Sequence, residues 1–529
     1  MKILSFEFSE KNFYGVHFLL IPIILLLTIY LAYWQGQYNY DPHHWGLILS
    51  NAKDLYYGKL PYKDIFLQYG YLTTLIQAGF FSINKNISSI IISTAFFHAL
   101  SLLLIFLITH KISKSYRIAS YTIFIAFLMH PIVNYPWSNY FSFTFILLAV
   151  YFYSLGGKYS LVLTGISSGL AILAREGVAP ALILSFFISF IIQYSNHKAL
   201  AINYWKNLLK DFFAILLGVT IPIAIFIFYL IFNDLVFFWH KLSWDLPKIY
   251  FNYFPDARHP IKGYILFFYD LYLRSINSNY RWLFFGLIFI SNLFLLLSQI
   301  KNSSFLKNKT LLLISLLSFA LITSTLHIHE MFKLITGSLI GIISLFVLLE
   351  RINLLNFLFP FFIIALAYVS FSKDSENRFY PTVEVVGNSE FVSSPKIFYG
   401  QNWPKGVSKY YQEIERDYSS LKEKNCGIKY HYNGSMDSFI QVLSPFQQYQ
   451  LAPYDVSSDF SALRPDLNLK MKINEKKDLI MLISVAEKDI PFYKTPKGFF
   501  IYKQHLIPYA IWLPPKQALL IVVPNSCKS

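Results

Sequence analysis

Eleven long apolar stretches dominate this 529-residue chain, near residues 14–34, 88–109, 118–133, 139–155, 160–174, 178–194, 211–232, 281–299, 310–326, 332–350 and 353–371. Each approaches the roughly 17–25 residues that a helix needs to cross the hydrocarbon core of a bilayer. The pattern predicts an α-helical polytopic membrane protein. Segment 69–83 is apolar but short, so it reads as a half-inserted helix or a further span, giving about 11–13 transmembrane helices in all. The first span is too long for a signal-peptide core, and no small-residue cleavage site follows it, so it reads as a retained anchor.

Only 14% of residues are charged, against about 25% in soluble domains. The charges are unevenly placed. Residues 372–529 hold 20 basic and 16 acidic side chains, and the preceding residues hold 25 and 13. The basic excess among the spans fits the positive-inside rule and contact with anionic lipid. No nucleic-acid motif accompanies it, so nucleic acid is not an expected partner. Lysines and arginines gather in loops 110–117, 195–210 and 300–309, whereas 134–138 and 327–331 have none. This alternation predicts a cytoplasmic N-terminus, with residues 372–529 outside and the larger loops 35–68 and 233–280 also outside. Nine of the 13 acids before residue 372 then face outside, Asp41, Asp64, Glu176 and Glu330 among them. The outer face is therefore the chemically equipped one.

Two units follow: a membrane domain over 1–371 and a polar C-terminal unit over 372–529. In the latter, 405–425 has the pattern of an amphipathic helix, and 478–484, 498–504 and 518–524 read as strands, which predicts a small α/β domain. Cys426 and Cys527 both fall there. Outside the cytoplasm they can form one disulfide; two separate thiols is the other reading.

Candidate functional residues gather at the outer loops. Asp41-Pro42 has the form of a helix cap followed by proline in the first turn. Trp45, Ile48, Leu49, Ala52 and Leu55 then recur at helical spacing, so 42–57 is expected to be an amphipathic helix on the outer membrane surface. Asp41 reads either as a cap only or as a carboxylate that also orients or deprotonates a hydroxyl. Adjacent side chains diverge on a helix, so one of His43 and His44 can join it, and His44 is the better placed. Trp45, Tyr62 and Tyr69 are either sugar-stacking surfaces or members of an interfacial aromatic belt. Arg175-Glu176 between two spans is either a functional pair or a self-satisfied ion pair; Arg suits bidentate phosphate binding. His327, His329 and Lys333 sit at another outer mouth, where a snorkelling lysine is the bland alternative. Phosphate-binding glycine loops, dinucleotide fingerprints and serine-hydrolase elbows do not occur. The energy source is then a lipid-linked activated donor or an ion gradient.

The stretch Asp41-Pro-His-His-Trp-Gly, running through Gly58-Lys-Leu-Pro-Tyr-Lys-Asp64 to Gln68-Tyr-Gly-Tyr-Leu, resembles the first outer loop of bacterial polytopic glycosyltransferases of the GT-C superfamily. Ser168-Gly-Leu-Ala-Ile-Leu-Ala-Arg175-Glu-Gly is similar to an arginine-bearing outer turn in some members, and His327…His329…Lys333 to a histidine-rich one. Where members carry an acid, this chain has Trp45, which leaves Asp41 as the acid of the loop. The resemblance implies a GT-C-like fold in the bacterial inner membrane. It implies a polyprenyl-phosphate-linked sugar as donor, a glycan or glycolipid acceptor such as lipopolysaccharide, and inversion at the anomeric carbon. Asp41 and His44 become the catalytic pair. Arg175, Lys333, His327 and His329 become the donor-phosphate set, and Trp45, Tyr62, Asp64, Tyr69 and Glu176 the substrate contacts. No cofactor is implied, since cationic side chains can balance the phosphate, although a divalent metal is compatible. An O-antigen polymerase or ligase is the alternative within the same chemistry, but such proteins carry their large outer loop mid-chain. A lipid-linked saccharide flippase or transporter is the third reading. It calls for broken helices and charges near the midplane, whereas these spans read as continuous.

Overall fold

The computed structural model describes residues 10–67, 70–129, 136–195, 201–245, 259–276, 280–300, 308–326, 329–371, 381–435, 437–448, 477–508 and 516–528. Its membrane part comprises α1 (Glu10–Gly36), α2 (His44–Tyr56), α3 (Tyr71–Ile83), α4 (Ile87–Ser113), α5 (Tyr116–Met129), α6 (Ser138–Leu155), α7 (Lys158–Ala174) and α8 (Ala179–Ser195). It continues with α9 (Ala201–Phe232), α10 (Val236–His240), α11 (Pro260–Ile276), α12 (Tyr280–Ile300), α13 (Lys309–Ala320), α14 (Met331–Ile335), α15 (Ile342–Arg351) and α16 (Leu355–Phe371). Among the described residues, six helices are long and apolar enough to cross a bilayer, and five more are shorter apolar helices. The chain is a multi-pass membrane protein. Among the described residues, each expected span falls on helix, continuous in all but the 332–350 segment. Segment 69–83 is the 13-residue α3, about 20 Å long.

Ile183, Phe187, Ile225 and Phe228 on α8 and α9 stay exposed as a lipid-facing surface, while α4, α5 and α6 are buried at the bundle centre. Glycines let α7 and α9 approach closely: an added Cβ at Gly165 or Gly218 would overlap the facing backbone. Small residues at such crossings give the van der Waals contact that replaces the hydrophobic effect between helices in lipid. At one end of the bundle Arg117 at the start of α5 pairs with Glu350 at the end of α15.

Two segments depart from the sequence reading. The 332–350 span is not continuous: α14 stops at Ile335, a 3-10 turn covers Ser338–Gly341, and α15 resumes at Ile342. Gly337 breaks the ladder with φ −157° and ψ −85°. Gly341 sits where a Cβ would press on Ser318 and Asn292. The described parts of loop 233–280 are largely helical. Its α11 buries Phe267 and Leu271 and exposes Ile261 and Ile265, the one-sided pattern of an amphipathic helix.

The C-terminal unit contains α17 (Val383–Gly387), β1 (Ser389–Phe391), β2 (Asn402–Pro404), α18 (Val407–Glu423), β3 (Tyr430–Gly434), α19 (Phe439–Leu443), β4 (Gln447–Gln448), β5 (Leu479–Ala486), β6 (Phe499–Leu506) and β7 (Gln517–Pro524). Five strands form one mixed sheet in the order β4-β3-β5-β7-β6, with β3 parallel to β4 and β5 and the other pairs antiparallel. Helix α18 buries Val407, Tyr410, Tyr411, Ile414, Tyr418 and Leu421 against it, as its helical spacing requires. The three expected strands and this helix are all present, and β1, β2, β3 and β4 are additional strands.

Cys426 and Cys527 form a disulfide across a separation of 101 residues. Closing so long a loop restricts the unfolded chain, so Cys426→Ser is expected to cost the C-terminal unit about 2–5 kcal/mol. Thermal unfolding of the wild type with and without reductant, beside the variant, measures this. An unchanged transition in both would contradict it.

Helix α2 does not lie open on a surface. Trp45 through Ala52 are buried, with α3 on one side and α19 on the other. The polar residues of its second face are covered by the C-terminal unit: Lys53 Nζ donates to the Val442 carbonyl.

Candidate active site

Asp41 lies in the turn between α1 and α2 and is only 2% exposed. Its Oδ1 accepts the backbone N–H of His43 at 3.1 Å and of His44 at 3.0 Å. Its Oδ2 lies 2.7 Å from His44 Nδ1. These are the contacts of a helix cap, extended by a side-chain partner. Burial pushes the Asp41 carboxyl up, but the hydrogen bond and charge of His44 outweigh it and hold the group below its ordinary value. The result is a buried carboxylate that is ionised at neutral pH and cannot rotate away.

His44 is half-buried and points outward from Asp41. Its ring centroid is 5.0 Å from that of Trp137, just before α6. Trp137 in turn stacks 6.1 Å from Phe332 on α14. Next in the chain is Lys333, 7% exposed, with Nζ 2.8 Å from Glu330 Oε2. Arg175, at the end of α7, is within electrostatic reach of Lys333 and donates to Asn139 Oδ1. One mouth of the bundle thus gathers an acid–histidine pair, an aromatic strip and two cations from four separate segments. The broken 331–351 segment matters here, because it places Lys333 on a one-turn helix rather than along a straight span.

Tyr62 and Glu176 form a neighbouring cluster. Glu176 Oε1 accepts from Trp239 Nε1 at 3.3 Å and Ser243 Oγ at 3.2 Å. Glu176 therefore does not pair with Arg175 as a closed ion pair; it fastens the 236–245 segment. Tyr62, with φ of +66°, is buried beside Leu173 and Phe226 and feels the Glu176 charge.

Three expected site residues are elsewhere. Trp45 is 1% exposed and sits in the core shared with Tyr40, Phe439 and Trp403, so it is a packing residue and offers no face for stacking. Asp64 Oδ2 accepts the Leu60 N–H at 3.0 Å, closing the turn that returns the chain to α3. His329 Nδ1 lies 2.9 Å from Asp270 Oδ2, which Arg274 also contacts. Helix α11 therefore draws His329 into a separate ion cluster. Tyr69 and His327 lie outside the described residues. The sequence reading missed Trp137, Asn139, Trp239 and Ser243; the only available signal was a tryptophan in a short loop free of lysine and arginine. No group of three metal-ligating side chains comes together among the described residues.

No protein-family model matches the chain, and no curated protein matches it. Solved structures do. The crystal structure of ArnT from Cupriavidus metallidurans bound to undecaprenyl phosphate aligns over 97% of this chain and 99% of that one, with a TM-score of 0.53 at 10% identity. ArnT in the apo state aligns over 98% and 100%, with a TM-score of 0.48 at 10% identity. The alignment runs through both the membrane part and the C-terminal unit, so the whole chain shares the fold of that ArnT structure.

Proposed function

We propose that the protein is a glycosyltransferase that moves a sugar from a polyprenyl-phosphate donor to a glycan or glycolipid acceptor at the outer face of the bacterial inner membrane. The observation that carries this reading is the fixed Asp41–His44 pair, joined through Trp137 and Phe332 to the mouth where Lys333 and Arg175 lie. An ArnT with this fold has been solved with undecaprenyl phosphate, which makes a lipid phosphate a reasonable ligand.

In this mechanism the donor enters from the bilayer with its phosphate against Lys333 and Arg175. The acceptor hydroxyl gives its proton to Asp41, held in place by His44, as its oxygen bonds to the anomeric carbon. The bond from that carbon to the phosphate oxygen breaks, and the leaving phosphate takes the electron pair. Its added charge is what the two cations stabilise in the transition state. Attack opposite the leaving group inverts the anomeric centre. The C-terminal disulfide supports an outer, oxidising location for that unit.

The pair makes a pH prediction. In His44→Gln the offsetting charge is lost, burial dominates, and the Asp41 carboxyl rises. A base that must be ionised is then protonated at higher pH, so the acid limb of kcat is expected to move upward relative to wild type. Profiles of kcat against pH for the two proteins check the direction; coincident acid limbs would contradict it.

The functional test is a reconstituted assay with a panel of radiolabelled polyprenyl-phosphate sugars and a crude envelope-glycolipid extract. Label is expected to pass to the acceptor from at least one donor. If no donor turns over while the protein moves labelled lipid between leaflets of liposomes, it is a flippase or transporter. The break at Gly337 is the feature that favours that second reading.

A further inference from the structure

The C-terminal unit has no part in the chemistry proposed above, yet several of its contacts with the membrane part fall on the residues that flank Asp41. On the side before it, the Tyr40 hydroxyl hydrogen-bonds the Tyr411 hydroxyl on α18 at 2.9 Å, and the Tyr411 hydroxyl also donates to Asp437 Oδ2 at 2.9 Å. The Tyr40 ring packs on Trp403, 5.3 Å between centroids, and on Phe439. On the side after it, the Pro42 carbonyl accepts the Ser438 N–H at 3.0 Å. Further out, the Gln37 carbonyl accepts the Asn402 N–H at 2.8 Å.

The surface that holds the loop is itself rigid. Asn433 Oδ1 accepts both the N–H and the hydroxyl of Ser435. Asn433 Nδ2 donates to the Asp437 carbonyl. The Asp437 N–H donates to Ser435 Oγ, and its Oδ1 accepts the Phe439 N–H. Buried side-chain and backbone hydrogen bonds linked in this way favour one arrangement of the segment. The fit is close: a Cβ added at Gly46 would lie 2.6 Å from Phe439 N and 2.6 Å from Ser438 C. Those are backbone atoms, so they cannot swing aside, and glycine is the residue that permits this approach.

We infer that residues 433–435 and 437–439 of the C-terminal unit, together with Tyr411, are a positioning element that clamps both chain neighbours of Asp41 and so aims the Asp41–His44 pair into the mouth. The inference rests on the reading of Asp41 as the reacting base. Asp41 carries its own cap contacts within 41–44, but those set it relative to α2 only. The clamp sets that turn relative to the bundle, where Lys333 and Arg175 lie. Tyr411 and Ser438 touch no substrate in this account and act through Tyr40 and Pro42.

The test uses the full chain in lipid nanodiscs as wild type, Tyr411→Phe and Gly46→Ala. Tyr411→Phe keeps the ring and removes the hydroxyl shared by Tyr40 and Asp437; it serves should Gly46→Ala fail to fold. Amide hydrogen exchange is read for peptides covering 37–47, 407–423 and 517–524, and steady-state transfer is read from a polyprenyl-phosphate sugar. Exchange is expected to rise at 37–47 and stay unchanged in the other two peptides. Turnover is expected to fall by about tenfold or more, with KM for the donor unaltered, because a misplacement of ~1 Å can cost on the order of a hundredfold. A role confined to holding the unit together would raise exchange across all three peptides instead. The inference is overturned if exchange at 37–47 is unchanged in the folded variants, or if it rises and kcat does not fall. Should the wild type transfer no sugar, the functional reading fails, and the exchange arm alone still decides whether the loop is held.

Discussion

Asp41→Asn is expected to fold like the wild type and to lose transfer by about 10²–10⁴-fold, the range for removing a positioned general base. Asparagine separates structure from chemistry at this site. It caps a helix about as well as aspartate, so the contacts to the His43 and His44 amides survive. It cannot accept a proton from a hydroxyl. The loss should fall on kcat, with KM for the donor little changed, because the missing interaction is made only as the proton moves. Asp41→Ala loses both functions and should cost in addition about 1 kcal/mol of stability for the missing cap. Steady-state transfer and thermal unfolding, measured on the same preparations, check both parts. An Asn variant with full turnover would remove Asp41 from the chemistry and leave it as a cap.

Removing the cations should have the next largest effect. Lys333→Met and Arg175→Gln are each expected to lower kcat/KM by about 10²–10³-fold, the scale found when one donor is removed from a preorganised site of developing charge. Lys333→Met is a clean substitution, because its partner Glu330 is 43% exposed in the side chain and stays hydrated alone. Arg175→Lys is not expected to restore activity, since lysine lacks the planar fork that would let one side chain hold Asn139 Oδ1 and receive the proposed donor phosphate at once. Inhibition by free polyprenyl phosphate reads the same contacts without catalysis. Its inhibition constant should rise in both variants. An unchanged constant would mean that the phosphate lies elsewhere.

The membrane helices were readable because a bilayer imposes length and apolarity on any span, and that constraint acts on the local sequence. Helix α2 was readable for a related reason, its period. What covers it was not, because α19 lies almost 400 residues downstream and docking depends on tertiary fit. That is why Trp45 read as a stacking surface: an aromatic in an outer loop looks the same whether it faces water or the Tyr40–Trp403 core. His329 and Lys333 read as one group from adjacency, yet Asp270 on α11 takes the histidine away. The helix break at Gly337 left only a weak trace, Thr336-Gly337-Ser338 in an otherwise apolar run, because a single glycine is tolerated in many helices. Strand β3 was hidden because its buried positions are His431, Tyr432 and Asn433 rather than aliphatic residues. Asp41, His44, Arg175 and Lys333 were all visible as ionisable side chains between apolar spans, whereas Trp137, which packs between His44 and Phe332, has no ionisable group to single it out.

The most direct measurement is a single-turnover experiment with the wild type in excess over a radiolabelled polyprenyl-phosphate sugar and an envelope-glycolipid acceptor. The account predicts that label moves onto the acceptor while free polyprenyl phosphate appears in equal amount. Label that remains on the lipid carrier, with the carrier bound or redistributed between leaflets, would contradict it.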